Sequence, residues 1–257
     1  MKLLYAVTLL AFVQTSLQAT DYCAIEHCPK GNHVGCNAST TFGNPTGQLV
    51  ILKAAEQTLI LNLHNTYRNK IALGTEKNGA GILFPKASRM RTMRWDDELA
   101  YLAGLNARRC EMQHDQCRNT VNFTYPGQNL ATSLTTQQTF MKVLGTATSF
   151  NVTAKIVSMI NAWYKASLNA NPKDLESTSA PKFSTIQFTQ IVRDTSNAIG
   201  CATSTWKDNG MTYFYLVCNY AVGNLVGEQV YSTGSTASGC TTSNNSFHTG
   251  LCSTLEP

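Results

Sequence analysis

Nine cysteines present the first chemical choice in this chain: Cys23, Cys28, Cys36, Cys110, Cys117, Cys201, Cys218, Cys240 and Cys252. Thiols either hold a metal ion or oxidise to disulfides. Structural zinc sites draw ligands from close Cys-x-x-Cys or Cys/His pairs, and no such spacing occurs here. Disulfides are therefore the expectation, and nine cysteines cannot all pair within one chain. His114, in Cys110-Glu111-Met112-Gln113-His114, is an imidazole that could serve as a base or a ligand. His64 and Arg68 stand one helical turn apart and read as a hydrogen-bonding pair anchoring neighbouring loops. Trp163 and Tyr164 read as core. Neither Gly-x-Ser-x-Gly nor His-Glu-x-x-His is present, so two common hydrolase arrangements are excluded, as is Arg-Gly-Asp as an integrin-directed tripeptide.

An oxidising compartment fits the N-terminus. Lys2, an apolar run from Leu3 to Val13, and Leu17-Gln18-Ala19 have the form of a secretory leader cleaved after Ala19. That run is too short to cross a bilayer of roughly 30 Å, and no membrane span is expected elsewhere. Removal of the leader leaves 19 basic against 15 acidic side chains, with no Lys/Arg run that would argue for nucleic acid. With 43% hydrophobic and 14% charged residues, the remainder can fill one core. Sequons at Asn37, Asn122, Asn151 and Asn244 are glycosylation candidates on the same route.

The elements that must position these groups follow from periodicity. Residues 20–48 hold three cysteines among Gly, Asn, Thr and Pro and read as a stapled arm. Leu52, Ala55, Leu59, Ile60, Leu63, Tyr67 and Ile71 predict a helix over 50–73, ended at Gly74. Asp96 is the expected N-cap of a second helix, with Leu99, Leu102, Ala103, Asn106 and an inward-facing Cys110 on one side. Val152, Ile156, Met159, Ile160 and Trp163 predict a third. Phe183 to Val192 does not alternate strictly and fits strand or helix. Ala202–Trp206 and Tyr213–Cys218 predict a hairpin around Lys207-Asp208-Asn209-Gly210, and a Ser/Thr/Gly-rich tail follows Tyr231.

Five strings stand in a familiar order: Leu63-His64-Asn65-Thr66-Tyr67-Arg68, Met93-Arg94-Trp95-Asp96, Gly127-Gln128-Asn129-Leu130-Ala131, Ala162-Trp163-Tyr164 and Leu216-Val217-Cys218-Asn219-Tyr220-Ala221. With the cysteine spacings, the chain from about Asp21 onward resembles the superfamily of cysteine-rich secretory, antigen-five and pathogenesis-related proteins (CAP). Asp21-Tyr22-Cys23, Cys28, His33, Cys36 and the stapled tail resemble its dipteran antigen-five, or venom-allergen-like, branch. The resemblance implies an α+β fold, an α-β-α sandwich, with 1–19 as leader, 20–48 as arm, 49–225 as the CAP domain and 226–257 as tail. It also implies a short helix over Ile186 to Val192.

Metal-binding members of that superfamily hold a divalent ion with two His and two Glu. Matched residue by residue, these fall on His114, Gln128, Ala166 and Gln187, so one ligand type in four survives. Glu111 and Asp115 flank His114 without occupying a matching position. The resemblance therefore implies a vestigial cavity, no metal or other cofactor, no catalytic residue, and a hydrogen-bonded role for His114. It further implies disulfides Cys23 with Cys36, Cys28 with Cys117, Cys201 with Cys218 and Cys240 with Cys252. Cys110 is left alone because Thr40-Thr41-Phe42-Gly43-Asn44-Pro45 lacks the cysteine that pairs with it in antigen-five proteins. A buried thiol on a monomer is the expectation, a disulfide dimer the alternative. The implied function is that of a secreted, extracellular, non-catalytic allergen-like protein acting on an unidentified extracellular protein partner. Carriage of a sterol, fatty acid or other small lipid is an alternative, and an endogenous reproductive or tissue-specific role is another.

Overall fold

A computed structural model describes residues 20–136, 151–175 and 182–257. The proposed leader, 1–19, lies outside the described residues. In chain order the elements are β1 (Gln48–Val50), α1 (Ala54–Ala72), β2 (Arg94–Trp95), α2 (Asp97–Ala107), β3 (Gly127–Thr136), α3 (Val152–Lys165), α4 (Ile186–Val192), β4 (Ala198–Asp208) and β5 (Met211–Tyr220). Two 3-10 turns, Ala166–Asn169 and Pro172–Leu175, follow α3.

The sheet runs β1-β4-β5-β3, antiparallel throughout, with β2 added parallel to β4. Side chains alternate across a strand, and β5 divides between two cores. Phe214, Leu216, Cys218 and Tyr220 face the larger core with residues of α1, α3 and α4, including Ile60, Ile71, Ile160, Trp163 and Phe188. Tyr215 and Val217 face α2, packing with its Ala103 and Ala107 and with Leu130 and Trp206 of the neighbouring strands. This is an α-β-α sandwich, and burial on both faces explains why β5 is nearly continuously apolar. The β4–β5 turn places Asn209 and Gly210 at φ 47° and 72°, the left-handed pair that matches the twist of a two-residue hairpin.

Asp96 caps α2 by accepting from the Leu99 N–H at 2.8 Å, and α3 buries Ile156, Met159, Ile160, Trp163 and Tyr164. Three expectations need correction. The first helix starts at Ala54, not at 50, because Gln48–Val50 pairs with Thr203–Thr205 of β4. Ala55 is exposed, and the buried face of α1 is Ile60, His64, Asn65, Arg68, Ile71 and Ala72. Cys110 does pack inward, against the core of Ala103, Ala107, Leu130 and Trp206, but it is not part of α2. The helix ends at Ala107, and Cys110 follows at φ 54°, half-buried beside Gly47, as a free thiol. The segment 183–192, open between strand and helix on periodicity, is helical from Ile186.

The arm is tied down by the Cys23–Cys36 and Cys28–Cys117 disulfides and by Val34, whose N–H donates to the Cys117 carbonyl at 2.9 Å. Cys201 and Cys218 stand directly opposite each other on β4 and β5 and are bonded. The Cys240–Cys252 disulfide closes the tail loop. Glu256, the penultimate residue, is buried and fastens that loop. Its carboxylate accepts from the Thr241 and Thr242 N–H groups and from Arg89 Nε at 2.6 Å.

Candidate functional site

Arg68 organises the ground beneath the site. Fully buried on α1, its guanidinium donates to the carbonyls of Arg91, Ile191, Arg193 and Ser196 at 2.7–3.0 Å. Two of these acceptors, Ile191 and Arg193, are at the C-terminal end of α4, where carbonyls lack helical partners and a cation is favoured. Burial pushes the guanidinium down to about 9, with Asp194 opposing that shift. The group therefore stays charged at neutral pH.

One turn earlier, His64 is also fully buried. Tyr220 Oη accepts from Asn129 Nδ2 at 3.2 Å, so its own proton goes to His64 Nε2 at 3.0 Å. His64 Nδ1 then carries a proton and donates to the Ile60 carbonyl at 2.8 Å. The ring is neutral in this arrangement, and burial holds it down to about 4. Asn129 Nδ2 also donates to the Gln187 carbonyl at 3.0 Å, linking this buried chain to α4. His64 and Arg68 are thus both anchors, but through separate sets of partners.

Above them lies a cleft of about 780 Å³, walled by the 112–119 loop, the start of β3, α4 and residues 223–225. His114, Gln128 and Gln187 line it. Ala166 does not: it is the residue that ends α3, and its methyl packs against the larger core. The structure brings together three of the four positions matched to the superfamily's ligands. A Cβ at Gly127 would come within 2.1 Å of Gln190 Oε1, so a side chain there would require the Gln190 amide to move.

Gln128 is the pivot of the cleft floor. Its Oε1 accepts from His114 Nδ1 at 2.7 Å and from Arg118 at 3.4 Å, while its Nε2 donates to Asp115 Oδ2 at 2.7 Å and Asn219 Oδ1 at 2.9 Å. An amide supplies what these neighbours need, two donors and an acceptor. A carboxylate would set its oxygen against those of Asp115 and Asn219. Asp115 is buried and takes an ion-pair contact from Arg118 Nε at 2.7 Å, without hydrogen-bond alignment, and a donor from Asn106 Nδ2 at 2.8 Å. Arg118 spends its remaining donors on the carbonyls of Asp115 and Pro126. Tyr215 Oη and the Leu99 carbonyl complete the network through Asn106 and Asn219. Glu111, by contrast, is exposed and paired with Arg109.

Sequence reasoning identified His114, Gln128 and Gln187 but not Asp115, Arg118, Asn106 or Asn219 as their partners. The one local signal was the i, i+3 spacing of Asp115 and Arg118; the others come from α2 and β5. The four sequon asparagines are all exposed. Asn151 also caps α3, its Oδ1 accepting from the Ala154 N–H at 2.9 Å.

With this sandwich and cleft in place, the chain belongs to the cysteine-rich secretory protein family, whose model matches residues 61–220. It is similar to dipteran allergens of the antigen-five type. It is 40% identical over 247 residues to Venom allergen-1 of Aedes albopictus, covering 92% of this chain and 88% of that one. It is 35% identical over 211 residues to the antigen 5-like allergen Cul n 1 of Culicoides nubeculosus, covering 77% and 88%. The crystal structure of NaASP2 with Zn2+ matches it with a TM-score of 0.62 at 25% identity, over 88% of this chain and all of that one.

Proposed function

We propose that this chain is a secreted, non-catalytic, venom-allergen-like protein that acts by binding. The observation that carries the reading is the Gln128 amide, which stands between His114 and Asp115 and commits both to a hydrogen-bonded floor. Zinc needs three or four N, S or O ligands converging on one point. Among the described residues no three His, Cys, Asp or Glu side chains converge: His114 faces amides, and Asp115, the nearby carboxylate, is turned to Arg118, Asn106 and Gln128. The donor set does not fit a divalent ion, and no step is derived through one. Among the described residues, the same commitments leave no carboxylate on the cleft wall to act as a general base. Secretion is supported by the leader-like N-terminus, the four disulfides and the secretory and allergen relatives. No helix among the described residues is long and apolar enough to cross a membrane.

Calorimetry with zinc tests the reading. The expected result is no saturable heat at micromolar zinc. Micromolar binding that His114→Ala abolishes would overturn it.

A further inference from the structure

Away from the cleft, the loop that follows α1 holds an apolar tip out into solvent. Ile82, Leu83 and Leu168 are each more than half exposed. They are brought together by the Gly79 N–H, which donates to the Leu168 carbonyl at 2.9 Å, and by Asn78 Nδ2, which donates to the Ala170 carbonyl at 3.0 Å. The tip is not slack. Lys77 and Leu83 bridge antiparallel across it, the Phe84 N–H donates to the Glu76 carbonyl, and Phe84 is buried beneath. Asn78 closes the turn: its N–H donates to the Ile82 carbonyl, its carbonyl accepts from Gly81, and its Oδ1 accepts from the Ala80 and Ile82 N–H groups. Every main-chain N–H from Asn78 to Ile82 is therefore bonded within the protein, so the tip can leave water without stranding those donors. Cations surround it. Residues 70–86 and 165–175 carry Lys70, Lys77, Lys86, Lys165 and Lys173 against Glu76 and Asp174. Glu76 is already held by Lys70 at 3.9 Å and by Tyr164 Oη at 3.0 Å. The other four Lys are exposed. Lys77 stands opposite Leu83, and Lys165 precedes Leu168 by one helical turn.

We propose that this tip docks the protein on an anionic lipid surface. Ile82, Leu83 and Leu168 enter the boundary between headgroups and acyl chains, and the Lys ammonium groups rest among the lipid phosphates and carboxylates. The proposal rests on the reading of this chain as a binding protein and names a partner. The chemistry of the patch favours lipid over a folded protein. Protein interfaces concentrate their binding energy in Trp, Tyr and Arg, with Leu under-represented, and add directional hydrogen bonds. Neither of these two segments contains an Arg or an exposed aromatic residue, and the N–H groups of the turn have no donor capacity to spare. A bilayer surface is fluid and asks only for aliphatic area and for positive charge on flexible stems, which Lys supplies by snorkelling. A neutral surface would take the aliphatic tip and leave the Lys groups without counter-charge.

The test uses the full secreted chain and vesicles of phosphatidylcholine, alone or mixed equimolar with phosphatidylserine, with binding read by co-flotation. The expected result is saturable binding to the mixed vesicles that weakens with added salt and is about tenfold tighter than on phosphatidylcholine alone. Ile82→Ser combined with Leu83→Ser should weaken it about tenfold. Lys77→Glu and Lys165→Glu should each weaken it about fivefold. All four side chains are exposed, and an unchanged melting temperature shows that each variant is folded. Lys207→Glu, at the β4–β5 turn beside the arm, makes the same change in net charge and should leave binding as it was. Ile82→Trp should shift its added emission to the blue on the mixed vesicles. No saturable binding, equal binding to both vesicles, binding indifferent to the tip and Lys variants, or emission that does not shift would overturn the inference. A monomer–dimer equilibrium lost in the Ile82→Ser, Leu83→Ser variant would overturn it in favour of a second copy of this chain. Attachment to cells that needs the tip but vanishes when their surface proteins are stripped by protease would overturn it in favour of a protein partner. The lipids are then extracted and weighed: intact lipid without binding sinks this inference alone, whereas freed fatty acid sinks the non-catalytic reading itself.

Discussion

Replacing Arg68 by Met is the most informative single perturbation of this fold. The substitution keeps much of the apolar stem and removes the guanidinium that holds α1 to the C-terminal end of α4. Four carbonyl oxygens lie within 3.0 Å of it: those of Arg91, Ile191, Arg193 and Ser196. Each hydrogen bond to a charged group is worth about 1.5–3 kcal/mol, a gross loss of roughly 6–12 kcal/mol. Against this stands the relief of a fully buried cation, itself several kcal/mol. A net loss of about 3–5 kcal/mol remains, a large fraction of a typical domain's stability. Arg68→Lys should fall between the two, since an ammonium has three donors and cannot span all four acceptors. Urea unfolding with the disulfides intact measures the total. Native-state hydrogen exchange locates it: amides of α4, Gln190 to Val192 above all, should lose protection before those of α2, which Arg68 does not touch. A loss below 1 kcal/mol for Arg68→Met, or a loss with α4 and α2 exchanging in step, would refute the capping role.

Stability should decline on the acid side in two overlapping phases. His64 is held neutral, with its folded value pushed down to about 4, so its contribution is complete above about 6.5 and is lost as pH falls toward 4. Burial pushes Glu256 up, but the Thr241 N–H, Arg89 and the Thr242 hydroxyl and N–H together outweigh it and hold the carboxyl down to about 2, so its contribution is complete above about 4.5 and is lost toward pH 2. Allowing for the partly exposed Arg89, Glu256→Gln should cost about 2 kcal/mol at pH 7 and almost nothing at pH 2, as read by thermal melts across that range. A cost independent of pH would show that the carboxylate is not the fastener. Burial pushes the Cys110 thiol up, so it should alkylate more slowly at pH 8 than free cysteine and at the ordinary rate in urea. Label mapped to another cysteine would contradict the pairing. Asn151→Ala should lower stability by about 1 kcal/mol through its lost helix cap whether or not a glycan is attached, which an enzymatically deglycosylated control separates.

Local rules made much of this molecule legible. Asp96 before an apolar stripe is a cap that needs nothing beyond its own helix, and the stripe of α3 has only one way to face a core. Asn209-Gly210 between β-rich runs marks a hairpin whatever surrounds it. The ordered strings identified the family, and parity left one cysteine over. Position-by-position matching then put amides and a methyl where the superfamily has metal ligands. Tertiary structure alone decided the rest, because those features depend on groups distant in the chain. β1 is a strand only because β4 offers it an edge. The inner face of α1 carries His64 and Arg68 only because Tyr220 and the α4 carbonyls arrive to satisfy them, so a rule that ranks buried faces by hydrophobicity looked to Ala55 instead. Gln128 reads in the sequence as the loss of a carboxylate. In the fold it is the amide that His114, Asp115 and Asn219 together require, since hydrogen-bond demand is set by what converges in space.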